Sequence, residues 1–93
     1  MTEQQIQSKI LKYLEANNFY VFKTINTNKR GVPDIIALYD GKYIAIEVKR
    51  RGNRPTQLQE EHLSMIENAG GIAMVAYSLD EVKEQLDYHQ IYL

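Results

Sequence analysis

Two acids and a lysine, Asp34, Glu47 and Lys49, lie where a hairpin brings them together. Asp40-Gly41 separates two apolar, β-branched runs, 33–39 and 42–49. Asp-Gly between such runs is a strong signal for a two-residue turn. With that turn, residues whose numbers sum to 81 face each other: Tyr39 with Lys42, Ala37 with Ile44, Ile35 with Ile46 and, by continuation, Asp34 with Glu47. Their side chains leave one face of the sheet with Cβ atoms about 5 Å apart. The two-residue period adds Lys49 to that face and turns Ile44, Ile46 and Val48 into a core. At an effective dielectric near 20, two such charges repel by roughly 3 kcal/mol. Protonation of one acid, a slipped register or a cation between them relieves this. The cation is the most productive answer, because Mg²⁺ is commonly held by one or two carboxylates plus water and phosphate oxygens. In an arbitrary hairpin, a surface ion pair of Asp34 or Glu47 with Lys49 or Arg50 is the commoner outcome. The Val-Pro-Asp start, the apolar surroundings and the Glu-Val-Lys string favour the cation here.

The elements that must hold this hairpin follow from pattern. Thr2 with Gln5 resembles a capping box, and Ile6, Ile10, Tyr13 and Leu14 recur at helical spacing as far as Asn17-Asn18. Residues 19–25 are aromatic and β-branched and predict a strand. Thr27 to Val32 reads as a loop, and Pro33 suits a strand start. A basic loop, 50–55, leads to Thr56, which with Gln59 opens a second helix. Its apolar stripe, Leu58, Leu63, Met65, Ile66 and Ala69, is less regular, and Gly70-Gly71 ends it. Residues 72–77 predict a buried strand, and Ser78 with Glu81 a third capping box, opening a helix through about Leu86. The tail, 88–93, is a strand or a partner-contacting segment. The order α-β-β-β-α-β-α predicts an α/β fold, a mixed sheet flanked by helices.

The 93 residues fit a single domain, 1–93, with a thin core that oligomerisation commonly reinforces. The absence of cysteine excludes disulfides, thiolate metal sites and thiol nucleophiles. No secretory-type leader or membrane-length apolar run is present, so a cytoplasmic location, in a bacterial cell or a phage-infected host, is expected. No glycine-rich phosphate loop supports a nucleotide cofactor. The net charge of −1 hides a basic middle: residues 23–54 sum to +5 and the remainder to −6. Lys29, Arg30, Arg50, Arg51 and Arg54 flank the acid pair and are suitable phosphate contacts. The plainer use of such a region is loop solubility. For Tyr20, Phe22, Tyr39 and Tyr43, core packing is the expected use and base stacking the alternative. His62 is expected to serve packing or the surface.

Gly31-Val32-Pro33-Asp34, a hydrophobic strand and Ile46-Glu47-Val48-Lys49 together resemble the PD-(D/E)xK nuclease signature. Within that group the chain is similar, from about Glu3 to Gly71, to stand-alone virus-type replication-repair nuclease (VRR-NUC) domains. The resemblance implies a restriction-endonuclease-like fold. It implies Mg²⁺ or Mn²⁺ held by Asp34 and Glu47, with the main-chain carbonyl of Val48 and with Glu3 as further ligands. Lys49 would position or activate the attacking water. Gln59, with Gln57 nearby as a competitor, would hold Lys49 or the water. It also implies a homodimer acting on branched DNA, such as four-way junctions or flaps. The alternatives are a non-catalytic nucleic-acid-binding or assembly module, and a sequence-specific restriction-like nuclease, for which 93 residues leave little room.

Overall fold

A computed structural model describes residues 1–93. The elements are α1 (Glu3–Ala16), β1 (Tyr20–Lys23), β2 (Ile35–Tyr39), β3 (Lys42–Val48), α2 (Gln57–Asn68), β4 (Ile72–Ala76) and α3 (Leu79–Tyr88). They form one sheet in the order β1-β2-β3-β4, in which the first two pairings are antiparallel and β3–β4 is parallel. The element order and the mixed sheet match the pattern read from the sequence. The hairpin register is also as expected: Ile35 faces Ile46, Ala37 faces Ile44 and Tyr39 faces Lys42. Asp40 and Gly41 both take positive φ, 50° and 75°. A tight turn of this hand needs both, and it matches the right-handed twist of the strands.

One face of the sheet carries the core. Ile35, Ala37, Ile44, Ile46, Val48, Met74 and Ala76 point there and meet Ile6, Ile10 and Leu14 of α1 and Val82 and Leu86 of α3. Ile10, Leu14, Ile44 and Ile46 are fully buried, each contributing about 1.5–3 kcal/mol. The tail forms no strand. Ile91 turns back under α3, its amide 2.8 Å from the Leu86 carbonyl and its side chain in the core. Thr2/Gln5 and Thr56/Gln59 form complete capping boxes. At α3 only half of the box forms. Ser78 accepts from the Glu81 amide, whereas the Glu81 carboxylate reaches the Tyr77 amide and Arg51.

The other face is covered only in part. On α2, Leu63 alone is buried, while Leu58 and Met65 are exposed, the physical reading of that helix's irregular stripe. The helix covers the β3–β4 side and leaves the β1–β2 side open. The aromatic residues divide accordingly. Tyr39 stacks on Phe19 at 4.5 Å and packs against the core, as expected. Tyr20, Phe22 and Tyr43 do not: they are 71%, 44% and 43% exposed. Core packing fails for Tyr20 and Phe22 because no element lies above the β1–β2 side that carries them, and Tyr43, on β3, faces the groove between that side and α2.

Candidate active site

The acid pair sits at the end of the β2–β3 hairpin away from its turn, on the face shared with α2. Strand β2 begins only at Ile35, so Asp34 and Pro33 lie just outside the ladder. Thr24 pins them: its amide donates to the Asp34 carbonyl at 2.9 Å and its hydroxyl to the Pro33 carbonyl at 2.6 Å. The preceding Gly31 is required twice over. Its φ is +80°, and a Cβ there would lie 2.7 Å from Leu58 Cγ. The Gly-Val-Pro-Asp turn can therefore lie against α2 only with glycine at its head.

Asp34 Oδ2 accepts the Val48 amide proton at 2.8 Å. This ties the loop to β3 and sets Asp34 beside Glu47. Glu47 is 2% exposed, and its Oε1 has no hydrogen-bond partner. Its Oε2 lies 3.7 Å from the Lys49 ammonium, which is itself mostly shielded. Burial first, and the charge and hydrogen bonding of Asp34 second, raise the Glu47 pKa to about 8; Lys49 opposes the shift and Glu3 adds slightly to it. A buried acid oxygen without a donor is rare in folded proteins and calls for a specific explanation.

Glu3 stands at the first turn of α1 beside this pair, but its carboxylate is engaged elsewhere. Oε2 accepts from the Arg50 amide at 3.2 Å and from Asn53 Nδ2 at 3.0 Å. These bonds, Asn53 above all, hold its pKa below the usual carboxylate range. No group of three or more His, Cys, Asp or Glu side chains converges as a ready-made metal cage. Gln59 is also occupied: its Oε1 accepts the Thr56 amide proton at 2.8 Å, closing the α2 capping box, so here it does not hold Lys49. Gln57 points along its own helix, 3.5 Å from Glu61. Val48 directs its side chain into the core and its amide to Asp34.

Of the flanking cations, Lys29 and Arg30 lie on the exposed loop before Asp34, and Arg50, Arg51 and Arg54 on the exposed loop after Lys49. Along the chain the acid pair is therefore flanked by two basic loops; Lys29 lines the groove beside α2, while Arg50 and Arg51 border a hollow between α1 and the start of α3. Arg51 is the partial exception, since it pairs with Glu81 at 3.1 Å and lies over the Tyr77 ring.

Three residues near the site lie outside the motifs read above. Gln7, one helical turn beyond Glu3, is a buried polar side chain. The spacing Glu3, Gln7, Ile10, Leu14 continues the apolar stripe and could have marked it. Asn53 and Tyr77 brace the basic loop, with the Tyr77 hydroxyl donating to the Asn53 carbonyl at 3.0 Å. Nothing local in the sequence signals that pairing.

The residues fit a divalent cation in one specific respect. Two carboxylates face each other, and a buried Glu47 oxygen lacks any protein donor. An oxygen-seeking ion would satisfy that oxygen and neutralise the repulsion, with water and phosphate completing its shell.

A mixed four-strand sheet between helices, with Asp, Glu and Lys gathered at one end of its central hairpin, defines a nuclease-type α/β domain. Sequence comparison agrees and narrows the class. The VRR-NUC domain pattern matches residues 1–80, and the chain belongs to the VRR-NUC domain family. It is similar to "Putative nuclease p44" of Acyrthosiphon pisum secondary endosymbiont phage 1: 34% identical over 62 residues, 64% of this chain and 67% of that protein. Two solved structures share the fold. A VRR_NUC domain superposes with a TM-score of 0.79 at 24% identity, covering 96% of this chain and 98% of that one. A VRR_NUC domain protein superposes with a TM-score of 0.81 at 23% identity, covering 99% and 91%. The chain is thus a nuclease domain. No helix is long and apolar enough to cross a membrane.

Proposed function

We propose that this domain is a metal-dependent, structure-selective DNA endonuclease. The observation that carries the reading is the buried, unpartnered Glu47 oxygen facing Asp34 with Lys49 alongside. Asp34 and Glu47 would hold Mg²⁺ or Mn²⁺, with the Val48 carbonyl as a main-chain ligand. Glu3 joins only if its bonds to Arg50 and Asn53 open, so it is the weakest of the proposed ligands. The ion would lower the pKa of a bound water and stabilise charge on the phosphate.

The chain's own residues supply the rest. Lys49, shielded and held 3.7 Å from Glu47, orients the attacking water and offsets charge developing on the phosphoryl oxygens. The water gives up a proton to solvent as its oxygen bonds to phosphorus, the phosphorus–oxygen bond to the leaving strand breaks, and the leaving oxygen takes up a proton from solvent in exchange. The exposed cations on the loops before Asp34 and after Lys49 grip the backbone on both sides of the cut. Gln59, whose Oε1 closes the cap, would assist through its remaining Nε2 donors, on the attacking water.

Branched DNA is the proposed substrate and a homodimer the proposed assembly, because two sites related by a two-fold axis suit paired cuts on a symmetric junction. A cleavage panel of duplex, flap, splayed and four-way DNA with Mg²⁺ and with Mn²⁺, blanked by Lys49→Ala, tests this. Cutting of branched forms by the wild-type chain alone supports the reading. Mobility shifts without cutting would establish the non-catalytic binding module instead.

A further inference from the structure

We propose that the open half of the sheet beside the acid pair is a platform on which unpaired nucleobases stack. The proposal rests on the nuclease reading above and names the part of the substrate this face would hold. Three rows of side chains cross the face. At the hairpin-turn end, Tyr20 pairs with Leu38 and Leu38 with Tyr43; in the next row Phe22 pairs with Ile36 and Ile36 with Ala45. The third row holds Asp34 and Glu47. Tyr20 and Phe22 stand edge to face with centroids 6.1 Å apart, and both are exposed. From Glu47 to Tyr43 the strand advances about 13 Å. A strand cut at the acid pair can therefore run across the rings without leaving the face.

The groove has a volume of about 1060 Å³, with Phe22, Ile36 and Tyr43 on its floor and His62 and Met65 of α2 on its wall. Its charge selects the occupant. None of its lining side chains is acidic, although the chain carries 12 acids, whereas Lys29 and Lys42 both line it. Lys42 lies 3.8 Å from Asp40, but both are exposed and such pairs are weak in water. An apolar aromatic floor between lysines complements a strand whose bases stack while its phosphates meet ammonium groups. Duplex DNA keeps its base faces stacked inside, so rings on a sheet can reach only unpaired bases. The face would favour substrates with a single-stranded segment next to the cut.

The test measures binding of the full-length chain in EDTA to a fluorescein-labelled oligothymidylate and to a blunt duplex of equal length. Phe22→Ala and Tyr43→Ala should each weaken strand binding by about tenfold and change duplex binding less than about twofold. Tyr43→Phe keeps the ring and should bind as wild type. Phe22→Leu keeps apolar bulk without the ring and should show the alanine loss, so the result does not depend on how well Phe22→Ala folds. Equal losses on strand and duplex, or no loss on the strand, would overturn the platform. So would sedimentation showing a wild-type dimer that Phe22→Ala or Tyr43→Ala converts to monomer, since a second copy would then occupy the face. The two readings fail separately. Ring-dependent strand binding without cleavage of any branched substrate sinks the catalytic reading alone, and cleavage with ring-independent binding sinks the platform alone.

Discussion

Replacing Glu47 by glutamine should stabilise the metal-free domain at neutral and alkaline pH. In the absence of a cation, an ionised Glu47 is buried at 2% exposure, faces Asp34 and leaves one oxygen without a partner. Two charges about 5 Å apart at an effective dielectric near 20 repel by roughly 3 kcal/mol, and Lys49 returns part of that. The folded-state pKa is raised to about 8 from an ordinary 4.5. A raised carboxylate is protonated in the fold at pH values where the unfolded chain has already released its proton. Its stabilising contribution is therefore complete below pH 4.5 and is lost as pH climbs through about 8. Glutamine is neutral throughout and can donate to Asp34. The gain over wild type should be near zero at pH 4 and about 3–5 kcal/mol near pH 8.5, between the repulsion and the full linkage of the raised pKa, roughly 15–35 °C in Tm for a domain this size. Circular-dichroism melts of both proteins in EDTA from pH 4 to 9 measure it. A gain of equal size across that range, or none at pH 8.5, refutes the burial and repulsion assigned to Glu47.

Lys49→Ala should lower cleavage at least about 100-fold while leaving the fold and DNA binding near wild type, as read by single-turnover cleavage and anisotropy. Asp34→Asn should remove metal-dependent cleavage and lower Mn²⁺ affinity in calorimetry; because Asp34 also accepts the Val48 amide, it should stabilise the fold less than Glu47→Gln does. Arg50→Ala combined with Arg51→Ala should reduce the slope of log K against log salt by about one to two, nearer one because Arg51 already pairs with Glu81; a salt-independent loss would indicate damage to the fold. Gly31→Ala, which must accommodate a φ of +80° and a Cβ 2.7 Å from Leu58, should cost about 1–3 kcal/mol in chemical denaturation and lower cleavage with it.

The hairpin and its acids were legible because their signal is local. Asp40-Gly41 sets the register, and the two-residue period then carries Asp34 and Glu47 to one face. The caps at Thr2 and Thr56 were equally local. What escaped depends on packing between distant segments. Gln59 has the type and place to assist Lys49, but its capping bond is four residues of local geometry and wins in the absence of ligand. Glu3 reads as a ligand by position, yet Asn53 and the Arg50 amide claim it from 47 to 50 residues away. The exposure of Tyr20, Phe22 and Tyr43 follows from how little of the sheet α2 covers. Its irregular stripe hinted at that but did not say which strands would remain open. Ile91 was unreadable as core because its burial depends on a turn after α3, where Gln90 takes a φ of +62°.

The proposed mechanism requires Asp34 and Glu47 to share a cation. Anomalous diffraction from crystals of the domain soaked in Mn²⁺ tests it most directly. One manganese peak is expected between the two carboxylates, in contact with both, with the Glu47 oxygen that lacks a protein donor among its ligands. The peak should vanish in Glu47→Gln. Manganese bound elsewhere, with none between Asp34 and Glu47, would contradict it.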